Sequence, residues 1–240
     1  MKMDIFGEAL LDFQLGNYTT DIKTILSLHE LSEVEEDTLP LKYLFRDYDT
    51  MPALEQKALD LCRGEILDIG CGAGSHSLYL QQKRMLVTAL DRSIGAIETC
   101  RLRGIENRVH CDILNFNTKK FDTLLLLMNG IGIAGTLKGL DLLLKHFKTI
   151  LKSEGQILMD SSDIIYMFYE DDDGGIWLPA DKHYYGEVSF SMQYKGKQGN
   201  SFEWLYLDYQ TLQRAATAHK FKCELVREGE HYDYLARLTL

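Results

Sequence analysis

Proline is scarce in this chain, three residues in 240. That excludes proline-rich linkers and leaves no compositional seam between domains. Basic excess is missing as well: 26 Lys and Arg face 36 Asp and Glu, a net charge of −10, with no Lys/Arg-rich run. A nucleic-acid binder carries the opposite footprint, so that partner class is disfavoured. The longest apolar run, near Leu124 to Ala134, is short and glycine-broken, so no membrane span is expected. The first residues, from Met1 to Glu8, lack the charged-then-apolar pattern of a secretion signal. The five cysteines, at 62, 71, 100, 111 and 223, form an odd set with no Cys-x-x-Cys pair. They point to reduced thiols in a cytoplasmic protein rather than to a disulfide framework. Seven histidines are scattered with no His-x-x-x-His pair, so no metal site is expected. What is present, 45% hydrophobic residues over this length, suits one domain spanning 1–240 with a sizeable core.

The most informative segment is Asp68-Ile-Gly70-Cys71-Gly72-Ala-Gly74. Glu65-Ile-Leu67 before it reads as a buried strand, and Ser75 to Gln82 after it as the start of a helix. Strand, glycine turn and helix together let a backbone approach a nucleotide-like ligand closely. Spacing separates two ligand classes. In the dinucleotide fingerprint G-x-G-x-x-G the third glycine would fall at Ser75, but here it comes one residue early, at Gly74. The Asp68 carboxylate at the strand end also suits a cationic amine better than a pyrophosphate, which it would repel.

On these residues the chain resembles the class I S-adenosylmethionine-dependent methyltransferases, whose first motif is an acid followed by G-x-G-x-G. The resemblance continues downstream. Met85 to Leu90 is a second apolar strand closed by Asp91, where the family places an acid on the ribose hydroxyls. Arg108 to Cys111 is a third strand, followed by Asp112 and Ile113, the positions of an adenine-amine contact and its apolar neighbour. Phe121 to Met128 is a fourth strand, apolar throughout, as in a parallel sheet covered on both faces. Asn129-Gly130-Ile131-Gly132 follows at its carboxyl end, beside the expected methyl group. The resemblance implies S-adenosyl-L-methionine as cofactor and S-adenosyl-L-homocysteine as product. It implies cofactor contacts at Arg46, Asp68, Gly70, Cys71, Gly72, Gly74, His76, Asp91, Arg92, Asp112, Ile113, Met128, Asn129 and Gly130. Arg46 is placed to meet the methionine carboxylate, and His76 to cap or line the site. The competing readings are a helix cap for Asp112 and a solvated strand-end acid for Asp91, with Ser93 the better cap of the following helix.

Alternation of strand and helix predicts an α/β fold, a doubly wound, seven-stranded and mostly parallel Rossmann-like sheet with its last strand antiparallel. Residues 1–50 read as an acidic N-terminal helical arm, with apolar positions 22, 25, 26, 28 and 31 close to one helical face. A helix starts near Pro52, and another covers Thr136 to Leu151. Gln156 to Met159 is the fifth strand, ending at Asp160. Residues 163–208 form an insertion in which Glu187 to Tyr194 and Phe202 to Asp208 flank a turn, a hairpin signal. Its acidic stretch Glu170 to Gly175 has consecutive acids rather than the alternating ones of a calcium loop. Tyr209 to Lys220 is a helix, and Phe221 to Arg227 and Tyr232 to Leu240 are closing strands. The family pattern covers 52–162 well and 209–240 by topology. The arm and the insertion lie outside it and are expected to form the acceptor pocket and its lid.

The cofactor brings its own activated methyl, so the protein must align donor and acceptor and exclude water. A base is needed only for an acceptor such as a hydroxyl, and His183 with Tyr184 in the insertion are the catalytic candidates. The turn after strand four lacks the Pro-Pro-aromatic motif of enzymes acting on planar amides or base amino groups. A small organic acceptor is therefore expected, with the protein a monomer or homodimer. The alternatives are a protein or RNA methyltransferase and a non-catalytic cofactor-binding module. A dinucleotide dehydrogenase is disfavoured by Ser75 and Asp68.

Overall fold

The computed structural model describes residues 4–28, 34–168 and 183–240. Its main sheet has seven strands, the central ones buried between helices and the edge strands partly exposed. In chain order these are β3 (Glu65–Ile69), β4 (Leu86–Asp91), β5 (Arg108–His110), β6 (Phe121–Leu126), β7 (Leu151–Ser162), β11 (Lys222–Glu228) and β12 (Asp233–Thr239). Across the sheet they run β11-β12-β7-β6-β3-β4-β5. The pairs from β7 through β5 are parallel, and β12 is antiparallel to β7 and to β11. This is the expected doubly wound sheet.

Helices α3 (Ala53–Leu61), α4 (Ser75–Gln82), α5 (Ile94–Leu102), α6 (Leu137–Ile150) and α7 (Tyr209–Ala218) pack on its two faces. Thr136 caps α6 by accepting from the Gly139 N–H at 3.0 Å. Leu140, Leu143, Leu144 and Phe147, at i, i+3, i+4 and i+7, then bury one stripe against β6 and β7. Each such side chain stabilises the fold by about 1.5–3 kcal/mol on burial. On the other face Leu54, Ala58 and Leu59 of α3 and Leu80 of α4 meet Ile66, Leu125 and Leu158.

A second, antiparallel sheet departs from the expected layout. The arm begins with a helix, α1 (Ile5–Gln14), but Thr20 to Leu28 is not helical. It holds β1 (Ile22–Leu28), paired with β2 (Val34–Leu39). The short helix α2 (Leu41–Leu44) follows. The apolar positions fitted either period, but Ile22, Thr24, Leu26 and Leu28 also alternate, and β-branched residues favour a pleated surface. What decided between them was a partner distant in sequence. The insertion supplies β8 (Glu187–Tyr194), β9 (Lys197–Gln198) and β10 (Phe202–Leu205), and β8 pairs with β1. The order is β10-β8-β1-β2, with β9 on β8. The hairpin is thus present, and arm and insertion are joined through it. The acidic stretch 170–175 lies outside the described residues.

Candidate functional site

The turn after β3 is built on three left-handed glycines: φ is +74° at Gly70, +52° at Gly72 and +79° at Gly74. Their surroundings differ. Among the described residues a Cβ at Gly70 would meet only Ile133, at 4.0 Å, and one at Gly72 only the Phe6 ring, at 3.5 Å. A Cβ at Gly74 would run into Ile105 and Cys100 Sγ. Gly70 and Gly72 therefore border open space, whereas Gly74 is a packing glycine at the N-cap of α4. Cys71 turns its side chain inward, with Sγ 3.8 Å from Cys100 Sγ. That contact and burial hold its thiol well above the ordinary value, so Cys71 offers the cleft its backbone only.

Both strand-end acids are buried. Asp68 accepts from Ser77 Oγ at 2.6 Å, and burial pushes its carboxyl up. Asp91 accepts from the Gly72 N–H at 2.9 Å and the Ser93 N–H at 2.8 Å, bracing the turn against α5. Burial raises Asp91 too, against the pull of those two N–H groups. Ser93 is the cap of α5, as expected, accepting from Ala96 N–H at 3.0 Å. Asp112 accepts from the Leu114 N–H at 2.9 Å and so caps a short 3-10 turn, the competing reading of that acid. Ile113 beside it is buried in the core, and Arg92 is exposed with its guanidinium 6.0 Å from the Phe202 ring.

A buried ionic triad flanks the turn. The Arg46 guanidinium donates to both Glu55 oxygens and lies 3.9 Å from the centre of the Tyr43 ring. His76 Nε2 is 2.8 Å from Glu55 Oε2. Burial alone would raise the Glu55 carboxyl, but His76 and Arg46 together hold it below its ordinary value. Arg46 is thus committed to Glu55 on one side, while its buried Nε has no partner among the described residues. Glu55 escaped the sequence reading, because an acid in the first turn of a helix usually complements the dipole from solvent.

The end of β6 carries backbone strain. Met128 and Asn129 have φ of +64° and +53°, costing about 1–3 kcal/mol each for residues other than glycine. Asp160 holds them there, accepting from the N–H groups of Met128 and Gly130 at 3.0 Å each. Asn129 is clamped by Leu205 O at 3.2 Å and Ser161 Oγ at 2.8 Å. Burial pushes the Asp160 carboxyl up to about 6, despite the N–H groups of the turn.

Above these strand ends sits one face of the second sheet. Register aligns Glu35, Leu26, Phe190 and Phe202 in a row across four strands, with Leu28, Val188 and Trp204 in the next. Trp204 lies against Gly132, where any Cβ would clash with its indole. Met192 on the same face clusters with Phe6, Ala73 and Met128. Phe190, Phe202 and Trp204 form a triangle with ring centres 5.6–6.4 Å apart, all partly exposed.

The two catalytic candidates have partners within and beside the insertion. His183 is 58% exposed and pairs with Glu187 at 3.3 Å; the other Glu187 oxygen accepts from the Leu137 N–H that opens α6. Tyr184 donates to Asp208 Oδ2 at 2.6 Å and accepts from the Asp208 N–H at 2.9 Å. Burial raises that phenol further, so Tyr184 pins the insertion to the cap of α7 and is a poor proton acceptor. Among the described residues no group of His, Cys, Asp and Glu is spaced to hold a metal ion, and no helix is long and apolar enough to cross a membrane.

A family model described as a methyltransferase domain matches residues 67–159. The crystal structure of an S-adenosylmethionine-dependent methyltransferase from Bacteroides fragilis, bound to S-adenosyl-L-homocysteine, is 42% identical. That match covers 99% of this chain and 94% of the other, with a TM-score of 0.89. More distant structures share the fold alone. DesVI of Streptomyces venezuelae is 19% identical over 83% of this chain and 95% of its own, TM-score 0.57. The sugar N-methyltransferase KedS8 of a Streptoalloteichus species is 16% identical over 87% and 96%, TM-score 0.58. No curated protein matches the chain.

Proposed function

The chain belongs to the S-adenosylmethionine-dependent methyltransferases, and on that premise we propose that its methyl acceptor is a small organic molecule held between the two sheets. S-adenosylmethionine supplies a methyl group already activated on a sulfonium sulfur. The residues present fit that cofactor: Gly70 and Gly72 leave a cradle that a side chain would fill, and Arg46 keeps one buried donor unpaired. In this reading the turn backbone and Asp91 hold the ribose end, and Asp112 with Ile113 the adenine. Asp68, Arg46 and His76 hold the amino-acid end, with Arg46 steadied by Glu55. Met128, Asn129 and Gly130 bound the methyl side. An acceptor amine that sheds its proton to solvent needs no side-chain base, and the Tyr184 hydroxyl is already held by Asp208.

The observation that carries the acceptor class is the aromatic face formed by Phe190, Phe202 and Trp204 over the end of β6. Concave sites lined by aromatic groups bury most of a small ligand's surface and exclude water from the reacting atoms. A groove for RNA would need a basic lining, and the chain carries −10. The test is release of S-adenosylhomocysteine, followed by mass spectrometry, with panels of small amines, phenols, carboxylic acids and thiols beside peptides and RNA. Turnover with a small molecule, weakened by Phe190→Ala without a change in cofactor affinity, is the expected result. Turnover with peptides or RNA alone would overturn the acceptor class. Cofactor binding with no methylated product from any panel would favour a non-catalytic binding module.

A further inference from the structure

Buried charge is unevenly matched in this protein. Among the described residues four carboxylates are buried, Glu55, Asp68, Asp91 and Asp160, against one guanidinium, Arg46, and one imidazole, His76. Both basic groups are spent on Glu55. The other three acids stand at the carboxyl ends of β3, β4 and β7. Among the described residues they accept only from neutral groups: Asp68 from the Ser77 hydroxyl, Asp91 from the N–H groups of Gly72 and Ser93, and Asp160 from those of Met128 and Gly130. A buried carboxylate with no cation beside it is costly, and neutral donors offset only part of that cost. Two of these acids have ligand groups to meet in the reading above, the ammonium for Asp68 and the ribose hydroxyls for Asp91. Asp160 is left over, and S-adenosylmethionine has one charge left over, its sulfonium.

We propose that Asp160 is the counter-charge of the sulfonium, a specificity-determining carboxylate that makes the cleft prefer S-adenosylmethionine to S-adenosylhomocysteine. The inference rests on the reading that Met128, Asn129 and Gly130 bound the methyl side, because Asp160 is bonded to the first and last of them, at 3.0 Å each. Transfer joins the methyl carbon to the acceptor's lone pair and leaves the C–S bonding pair on sulfur, so the product is a neutral thioether. Asp160 then loses the charge that faced it, and the spent nucleotide is held less tightly than the fresh one. A carboxylate that did no more than anchor the two left-handed residues would serve both nucleotides equally.

The probes are S-adenosylmethionine and S-adenosylhomocysteine, each titrated into the full chain by calorimetry, so no acceptor is required. Opposite unit charges in a protein interior change an affinity by about tenfold or more out to about 10 Å. Asp160→Asn keeps the size of the side chain and removes its charge. Any disturbance of the turn acts on both nucleotides, so the ratio of their Kd values isolates the charge. At pH 8 the parent should favour S-adenosylmethionine by about tenfold more than Asp160→Asn does. The parent alone gives a second reading that needs no variant. Burial holds the Asp160 carboxyl at about 6, so its tenfold contribution should be present well above that pH and shrink to about twofold at pH 5. Glu55 from α3, His76 from α4 and Tyr43 from α2 also face Asp160. Glu55 is kept ionised by its two partners, burial keeps Tyr43 a neutral phenol, and a charge on His76 acts in parent and variant alike. A Kd ratio that is equal in parent and Asp160→Asn, or flat in the parent across that pH range, overturns the role of Asp160 and leaves the cleft intact. Failure of the parent to bind either nucleotide overturns the reading of the cleft, and the role of Asp160 with it.

Discussion

The three glycines of the turn share a left-handed backbone but should respond differently to the same substitution. An added methyl at φ near +50° to +80° costs about 1–2 kcal/mol of backbone strain at any of them. At Gly74 that methyl also collides with Ile105 and with Cys100 Sγ, both fully buried. Overpacking of that kind adds about 1–3 kcal/mol. Gly74→Ala should therefore lose about 2–5 kcal/mol, and Gly70→Ala about 1–2 kcal/mol. For a chain of this size the corresponding falls in Tm are roughly 4–20 °C and 2–8 °C. Ligand affinity should follow the opposite order. The methyl at Gly70 or Gly72 enters the space left for the cofactor, so S-adenosylhomocysteine should bind about tenfold to a hundredfold more weakly to those variants. Gly74→Ala, once folded, should bind with a smaller loss. Differential scanning fluorimetry and titration calorimetry on the three variants give both quantities. The reasoning is refuted if Gly70→Ala binds the ligand as tightly as the parent, or if Gly74→Ala is no less stable than Gly70→Ala.

On the role proposed for it at the ribose, Asp91→Ala should weaken S-adenosylhomocysteine binding by about tenfold to a hundredfold, with the bond to the Gly72 N–H lost as well; an unchanged Kd in calorimetry would make it a structural acid only. Asp160 has a folded pKa near 6 against an ordinary 3.8, so burial favours its neutral form. Its contribution to stability is fully present below about pH 4 and is lost by the time pH rises through 6, at most about 3 kcal/mol. Denaturant unfolding of the parent and of Asp160→Asn at several pH values should show the difference between them shrinking over that window, and a flat difference would contradict the assignment. Tyr184→Phe breaks the tie to Asp208 and should lower Tm while leaving kcat nearly intact, whereas a loss of kcat with unchanged Tm would restore Tyr184 as a catalytic group. Removing residues 1–36 should raise cofactor exchange more than it lowers Tm, read by ligand release beside thermal unfolding. That deletion also removes β1 and the first half of β2, so a collapse of the second sheet in circular dichroism is the outcome that would separate architecture from gating.

Much of the glycine turn and the strands around it could be read from residue order alone, because they depend on local requirements. A chain reversing directly after a buried strand needs left-handed φ, and glycine supplies it at 70, 72 and 74. A parallel strand covered on both faces needs an unbroken apolar run, and Phe121 to Leu126 is one. Ser93 declared itself as a cap through the same short-range logic. Asp112 was open to two readings for that reason: a residue able to cap a turn and one able to meet an adenine look alike until neighbours are in place.

What residue order left undecided depends on partners far apart along the chain. Ile22 to Leu28 carries both periods, and only pairing with β8, more than 150 residues later, made it a strand. Glu55 became the hub of the Arg46–His76 triad because α3 packs beside the glycine turn, a placement with no signature in its own segment. Tyr184 found its hydroxyl partner in Asp208, 24 positions away. The sequence by itself determined the doubly wound sheet and the glycine turn, since strand periods, turns and caps are short-range properties. Tertiary structure decided the roof and the triad. Those arise where buried charges and unpaired strand edges must find partners, and a buried group takes whichever partner the packing brings within reach.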